Sequence, residues 1–186
     1  MVNLTETPQI SRHFPLSGRA GTPSCRPLTG GGRYSLRLPP PSLQPAAEAL
    51  GLELAGPINR AASAGGRTAL RLGPDEWLLL LPEAQDPAAA LAARLPGGLY
   101  ALTDISHRQT AVTLEGAAAT DILNGGCPLD FDIEAFPAGT ATRTIFLKAE
   151  IVLWRQSETR FHLEVWRSFA PYVWELLTII GREHTS

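Results

Sequence analysis

Apolar and polar positions alternate along most of the chain with a period that switches between two and 3.6 residues. Tyr34, Leu36 and Leu38 alternate with Ser35 and Arg37, the pattern of a half-buried strand. Ser42 then offers an N-cap to a helix with Leu43, Ala46, Ala47 and Leu50 on one face and Gly51 just past its end. Thr68, Leu70 and Leu72 lead through Gly73-Pro74 into Trp77–Leu81, two strands about a tight turn. Asp86-Pro87 supplies an N-cap and a proline at the first helical position, and the Ala-rich helix behind it stops at Pro96-Gly97-Gly98. Leu99–Ile105 and Gln109–Leu114 form the next strand region, and Ala117–Leu123 a short helix closed by Asn124-Gly125-Gly126. The last third predicts an antiparallel meander of Thr140–Leu147, Glu150–Arg155 and Arg160–Trp166. Ser168 then caps a helix whose Phe169, Tyr172, Val173, Leu176, Leu177 and Ile180 form a 3.6-residue stripe. Strands and helices of these lengths, without long βαβ crossovers, define an α+β domain of antiparallel sheet with packed helices.

Composition narrows the picture. A chain of 186 residues with 44% apolar and 18% charged residues can bury a core and fits one ordinary domain. Its net charge of −2 argues against a general nucleic-acid binder. No apolar run approaches a membrane span, since Trp77–Leu81 ends at Pro82, and the N-terminal residues lack the apolar stretch of a secretory signal. Two isolated cysteines, Cys25 and Cys127, with no CxxC spacing, fit a reducing cytoplasm rather than a zinc ribbon or disulfide scaffold. Residues 1–33 stand apart from the domain expected over 34–186. They are Gly- and Pro-containing and basic, with four arginines (Arg12, Arg19, Arg26, Arg33) against Glu6, and read as a solvated leader or as an arm that orders on a partner or on its own domain.

Candidate chemistry is sparse. Gly30-Gly31-Gly32 has neither the GxGxxG nor the GxxxxGK[ST] spacing of a phosphate loop, and no GxSxG or HExxH occurs. His13, His107, His162 and His184 are scattered, and His162 falls on the strand face opposite Phe161, Leu163 and Val165, which places it at the surface. Asp130, Asp132 and Glu134 read as a solvated loop. The densest segment is Asp104-Ile105-Ser106-His107-Arg108-Gln109. Neighbours on an extended chain point to opposite faces, so these groups do not converge on one reactant. The reading favoured for the segment is structural: Asp104 and Ser106 cap backbone amides, and Arg108 pairs with a carboxylate.

Several motifs, in order, resemble the gamma subunit family of heterotetrameric sarcosine oxidase. Leu72-Gly73-Pro74-Asp75-Glu76-Trp77-Leu78-Leu79 is similar to that family's LGPDEWLL, and Asp104-Ile105-Ser106-His107-Arg108 to its DVSHR. Cys127-Pro128-Leu129-Asp130, Phe136-Pro137-Ala138-Gly139, Thr142-Arg143-Thr144 and the closing Val165-Trp166-Arg167-Ser168-Phe169-Ala170 extend the match from about residue 34 to 178. The resemblance implies a fold like the folate-binding domain of the glycine cleavage T-protein, an aminomethyltransferase. It implies an accessory, non-catalytic role in oxidative demethylation of sarcosine to glycine, with the one-carbon unit passed to tetrahydrofolate. It places FAD, FMN, NAD and tetrahydrofolate in the alpha and beta partner subunits and zinc in the delta subunit, with none held by this chain. It assigns no catalytic, cofactor or metal residue here. The rival is a free-standing folate- or one-carbon-binding protein with a pocket near Asp104–Gln109. For an accessory subunit the interface candidates are Trp154, Trp166 and Trp174, because Trp is enriched at interface centres and Trp166 shares its strand face with His162 and Glu164.

Overall fold

The computed structural model describes residues 14–22, 24–83 and 85–184. Among the described residues ten strands form two antiparallel five-stranded sheets. The first orders β1 (Cys25–Leu28), β7 (Gln109–Glu115), β10 (Arg160–Trp166), β9 (Ala149–Ser157) and β8 (Ala141–Phe146). The second orders β3 (Arg60–Ala64), β4 (Arg67–Arg71), β5 (Glu76–Leu81), β2 (Gly32–Arg37) and β6 (Ala101–Asp104). Helices α1 (Leu43–Leu50) and α2 (Pro87–Arg94) belong to the second sheet, and α3 (Ala119–Asn124) and α4 (Ala170–Glu183) to the first. The order through the molecule is helices, sheet, sheet, helices.

Strand alternation explains the layers. Phe161, Leu163 and Val165 of β10, with Val112 and Leu114 of β7, face α3 and α4 and bury Val173, Trp174 and Leu177 against them. Leu36, Trp77, Leu79 and Leu81 of the second sheet bury α1 and α2 through Ala46, Leu50 and Leu91. Between the sheets the apolar contact is smaller, formed by Leu70, Leu78, Ile105, Ala141 and Val152. Polar groups fill the rest of that seam. Burying each large apolar side chain on the two outer faces contributes about 1.5–3 kcal/mol, which makes these faces the main source of stability.

The α+β class and most elements stand as the pattern predicts, while β1 and β3, which have no alternation of their own, were not expected. Asp86 caps α2, its Oδ1 accepting from the Ala88 amide at 2.9 Å with Pro87 at the first helical position. Gly51 ends α1 at φ 62°, a left-handed conformation that glycine adopts without cost. Two caps differ. Pro39-Pro40-Pro41 winds a 3₁₀ turn over Pro40–Ser42, so Ser42 is already helical and its hydroxyl donates to the Leu99 carbonyl at 3.0 Å instead. Ser168 makes no side-chain cap, and α4 begins after Phe169 with Pro171 in its first turn.

The boundary expected after residue 33 also moves. Leu16 is 3% exposed in the first core, and Cys25–Leu28 pairs with β7 from Cys25 opposite Leu114 to Leu28 opposite Ala111. Antiparallel pairing of four residues and the burial of Arg33 tie this segment to the domain despite its basic, glycine-rich composition. Residues 1–13, the remainder of the expected leader, lie outside the described residues.

Candidate functional site

The seam between the sheets is where strand parity misleads. His162 and Glu164 lie on the face of β10 away from the helices, yet they are 8% and 1% exposed because the second sheet covers that face. This corrects the surface role expected for His162. Arg33, from the start of β2, crosses the seam and donates from Nε to both Glu164 carboxylate oxygens at 3.1 and 3.0 Å. Its Nη1 donates to the carbonyls of Gly30 and Gly31, so the three-glycine run cradles a guanidinium rather than a phosphate. His162 Nε2 completes the group, 2.8 Å from Glu164 Oε1. An acid, its cation and an imidazole thus satisfy one another without solvent.

The Asp104–Gln109 segment forms a corner joining the sheets. Asp104 Oδ1 accepts from the Ser106 amide at 2.8 Å. Ser106 Oγ accepts from the Arg33 amide at 2.9 Å and donates to the Arg33 carbonyl at 3.3 Å. The His107 carbonyl accepts from Arg167 Nη1, and the Arg108 carbonyl from the Arg167 amide, which anchors the end of β10. Backbone capping by Asp104 and Ser106 is as expected. Arg108 differs: its guanidinium stands 5.2 Å from the Trp166 ring, a cation–π contact in place of a carboxylate pair. The adjoining cleft, lined by Ile105, Gln109, Glu76, Arg143 and Trp166, holds only about 30 Å³ of free space, roughly one water. A drug-sized ligand needs roughly ten times that volume.

At the rim of this cleft, Arg143 donates to Glu76 at 2.8 Å, and Arg37 lies 3.3 Å from the same carboxylate. The Arg143 hydrogen bond holds the Glu76 carboxyl below its ordinary range, against the opposing effect of burial, and Glu76 raises Arg143 in return. Burial pushes both thiols up, Cys25 against a hydrogen bond with Thr22 and Cys127 against one with Thr144, so neither is an activated nucleophile. Asp130 and Asp132 accept from the amides two residues on, a chain of tight turns. Among the described residues no group of His, Cys, Asp and Glu is arranged to hold a metal, and no helix is long and apolar enough to cross a membrane.

The three tryptophans separate in space. Trp174 is 4% exposed and packs in the first core, where it makes no outer contact. Trp154 is half-buried at the seam, its ring 5.9 Å from that of His162. Trp166 is 39% exposed at the end of β10, on the face of Glu164 but beyond the cover of the second sheet. Phe169 and Tyr172, 41% and 37% exposed, follow it into α4. An exposed aromatic stacked by an arginine, with two further aromatics close in sequence, has the composition of an interface centre. Sequence periodicity placed Trp166 on the polar face. Gln109, the last residue of the chemically dense segment, pairs with Trp166 across the sheet, and its buried Oε1 has no hydrogen-bond partner among the described residues, which the sequence did not reveal.

These features define a class before a family: a two-sheet α+β scaffold whose chemistry-bearing residues are spent on internal corners and ion pairs, with aromatics outward. The fold is shared with the glycine cleavage system aminomethyltransferase T from Bartonella henselae, at a TM-score of 0.61 and 16% identity over 82% of this chain and 44% of that one. The model of the "Sarcosine oxidase, gamma subunit family" matches residues 40–182, and the chain belongs to that family. It is 31% identical over 156 residues to the sarcosine oxidase subunit gamma of Corynebacterium sp. (strain P-1), covering 82% of this chain and 77% of that one. It also superposes on a chain of the heterotetrameric sarcosine oxidase from Corynebacterium sp. U-96, solved with pyrrole 2-carboxylate. That match has a TM-score of 0.81 and 26% identity, over 87% of this chain and 85% of that one.

Proposed function

We propose that this chain is a non-catalytic accessory subunit of a heterotetrameric sarcosine oxidase, supporting oxidative demethylation of sarcosine to glycine with transfer of the one-carbon unit to tetrahydrofolate. The observation that carries the reading is the superposition, over 87% of its length, on a chain of a solved heterotetrameric sarcosine oxidase. The partners in this reading are the alpha, beta and delta subunits, which hold FAD, FMN, NAD, tetrahydrofolate and zinc. The site agrees with such a division of labour. Asp104, Ser106 and Glu164, the groups best placed for chemistry, are engaged in holding the sheets together, while Trp166 and Arg108 face outward.

The alternative, a free-standing folate- or one-carbon-binding protein, requires a ligand-sized pocket near Asp104–Gln109, and the space there fits about one water. Tagged chain recovered from its own organism grown on sarcosine separates the two. The accessory reading expects a yellow eluate with large co-eluting chains and sarcosine-dependent peroxide. A colourless, partner-free eluate that binds tetrahydrofolate would establish the alternative.

A further inference from the structure

β3 and β4 set two arginines against each other. Arg60 and Arg71 are directly opposite in the antiparallel ladder, so their side chains leave the same face of the second sheet. Like charges in that relation repel, and an anion between them relieves the repulsion. Among the described residues neither arginine forms an ion pair. Asp75 and Glu76, at the turn from β4 to β5, are paired instead with Arg37 and Arg143. Neutral oxygens hold both guanidiniums. Arg71 donates to the carbonyls of Gly56 and Pro74 and lies 5.1 Å over the Trp77 ring. Arg60 Nη1 donates to the Ala138 carbonyl at 3.3 Å and to Thr140 Oγ1 at 3.2 Å, and its Nε and Nη2 have no partner among the described residues. Carbonyls and hydroxyls orient a guanidinium and leave its charge in place.

Both arginines line a cleft of about 380 Å³, within the range of small-ligand pockets. Pro57 and Ala62 give it apolar sides. The acid among its lining residues is Glu53, whose Oε1 is engaged by the Ala55 amide at 2.7 Å, so two positive charges face one negative charge. The walls are fixed by backbone bonds that join the two sheets. The Ala61 amide donates to the Gly139 carbonyl at 2.8 Å, and the Ala141 amide to the Asn59 carbonyl at 3.0 Å. Asn59 takes a left-handed conformation, φ 64°, immediately before Arg60. A cleft held this way is formed before a ligand arrives and loses little entropy on binding one.

We propose that this cleft binds the carboxylate of a small organic anion. The free Nε and Nη2 edge of Arg60 donates to its two oxygens, Arg71 supplies the second positive charge, and its apolar part rests against Pro57 and Ala62. The inference does not depend on the reading of the chain as an oxidase subunit, because every lining residue belongs to this chain.

The test titrates the full-length chain with benzoate, a carboxylate on an apolar ring, and with benzamide, the same shape without the charge. One benzoate is expected per chain, at millimolar affinity or tighter, with benzamide at least about tenfold weaker, the size of one lost charge-assisted pair. Arg60→Gln brings benzoate down to the level of benzamide and keeps melting near the wild-type temperature, because it removes one of two opposed charges from an exposed position. Arg60→Lys keeps the charge without the fork and falls between. Ala62→Leu narrows the cleft, leaves both arginines and weakens both compounds. Equal binding of benzoate and benzamide would make the cleft an apolar surface and overturn the proposal. No benzoate binding at millimolar concentration overturns it, as does undiminished binding in Arg60→Gln. If Arg60→Gln melts well below wild type, Ala62→Leu decides, and unchanged benzoate binding there overturns the proposal. Loss of subunit affinity in Arg60→Gln, with no benzoate bound by the wild-type chain, would assign the arginines to an acidic side chain of a partner and contradict it.

Discussion

Glu164, 1% exposed between two sheets, shows how much a single residue can hold: Arg33 and His162 both reach its carboxylate, and the Arg33 backbone is in turn held by Ser106. Removing one member of a buried pair leaves an uncompensated charge. Glu164→Gln is therefore expected to lower unfolding free energy by about 3–5 kcal/mol, measured by urea denaturation. Replacing the pair together, Arg33→Met with Glu164→Leu, is expected to recover most of that loss, and a single-variant cost under about 1 kcal/mol would contradict the account. Glu76 gives the pH-dependent counterpart. Arg143 lowers its folded-state pKa, so its stabilisation is present at neutral pH and is lost as the carboxylate is protonated in acid. Wild-type stability should fall more steeply than that of Glu76→Gln from about pH 6 to about pH 3, and parallel curves would remove Glu76 from the explanation. At the surface, Trp166→Ala should leave the isolated chain's melting nearly unchanged and weaken subunit affinity about 30-fold, the effect of an interface centre. Unchanged affinity in a calorimetric titration would return Trp166 to the status of an ordinary exposed residue.

At the scale of elements, the turn after α3 carries a constraint that sequence alone does not reveal. A Cβ on Gly126 would lie 2.6 Å from the Phe146 ring, itself fully buried, and one on Gly125 would lie 2.9 Å from Ile180 of α4. Gly126→Ala is expected to destabilise by about 1–3 kcal/mol, because a packed ring must move. Retention of wild-type melting would show that β8 gives way easily there. Gly125-Gly126 was legible as a helix stop, and its role as a close-packing site was not, because the clash comes from residues twenty and more positions away. The same limit runs through the fold. Periodicity and turn residues placed the meander, the Asp86 cap and the Gly51 helix end, since all of these are local. It missed β1, because Cys25–Leu28 has no alternation of its own and is a strand only by pairing with β7. It placed His162 and Glu164 on the polar face correctly and misjudged their exposure, because parity along one strand does not register a second sheet packed on that face. The aromatic Trp166 was found by the same parity, being exposed at one end of that face as Arg160 is at the other.

For the molecule as a whole, four layers give two well-filled apolar cores with a narrower, partly polar seam between them. That architecture has consequences for function. The apolar cores stabilise the scaffold, the seam fixes how the sheets face one another, and Trp166 with Arg108 faces outward beside the seam. The chain belongs to a family named for a subunit of sarcosine oxidase and superposes on a chain of a solved heterotetrameric sarcosine oxidase. The family itself was legible in the ordered motifs from Leu72 to Ala170. The surfaces were legible only in part, since they depend on which faces the second sheet leaves open. The most direct measurement expresses the partner subunits with and without this chain. Sedimentation then gives the mass of the assembly, and sarcosine-dependent peroxide its activity before and after mild heating. The account predicts a complex larger by one 20.0 kDa chain whose activity survives heating, and a smaller, heat-labile or inactive assembly in its absence. Equal activity and equal heat stability with and without the chain, and no gain in mass, would contradict it.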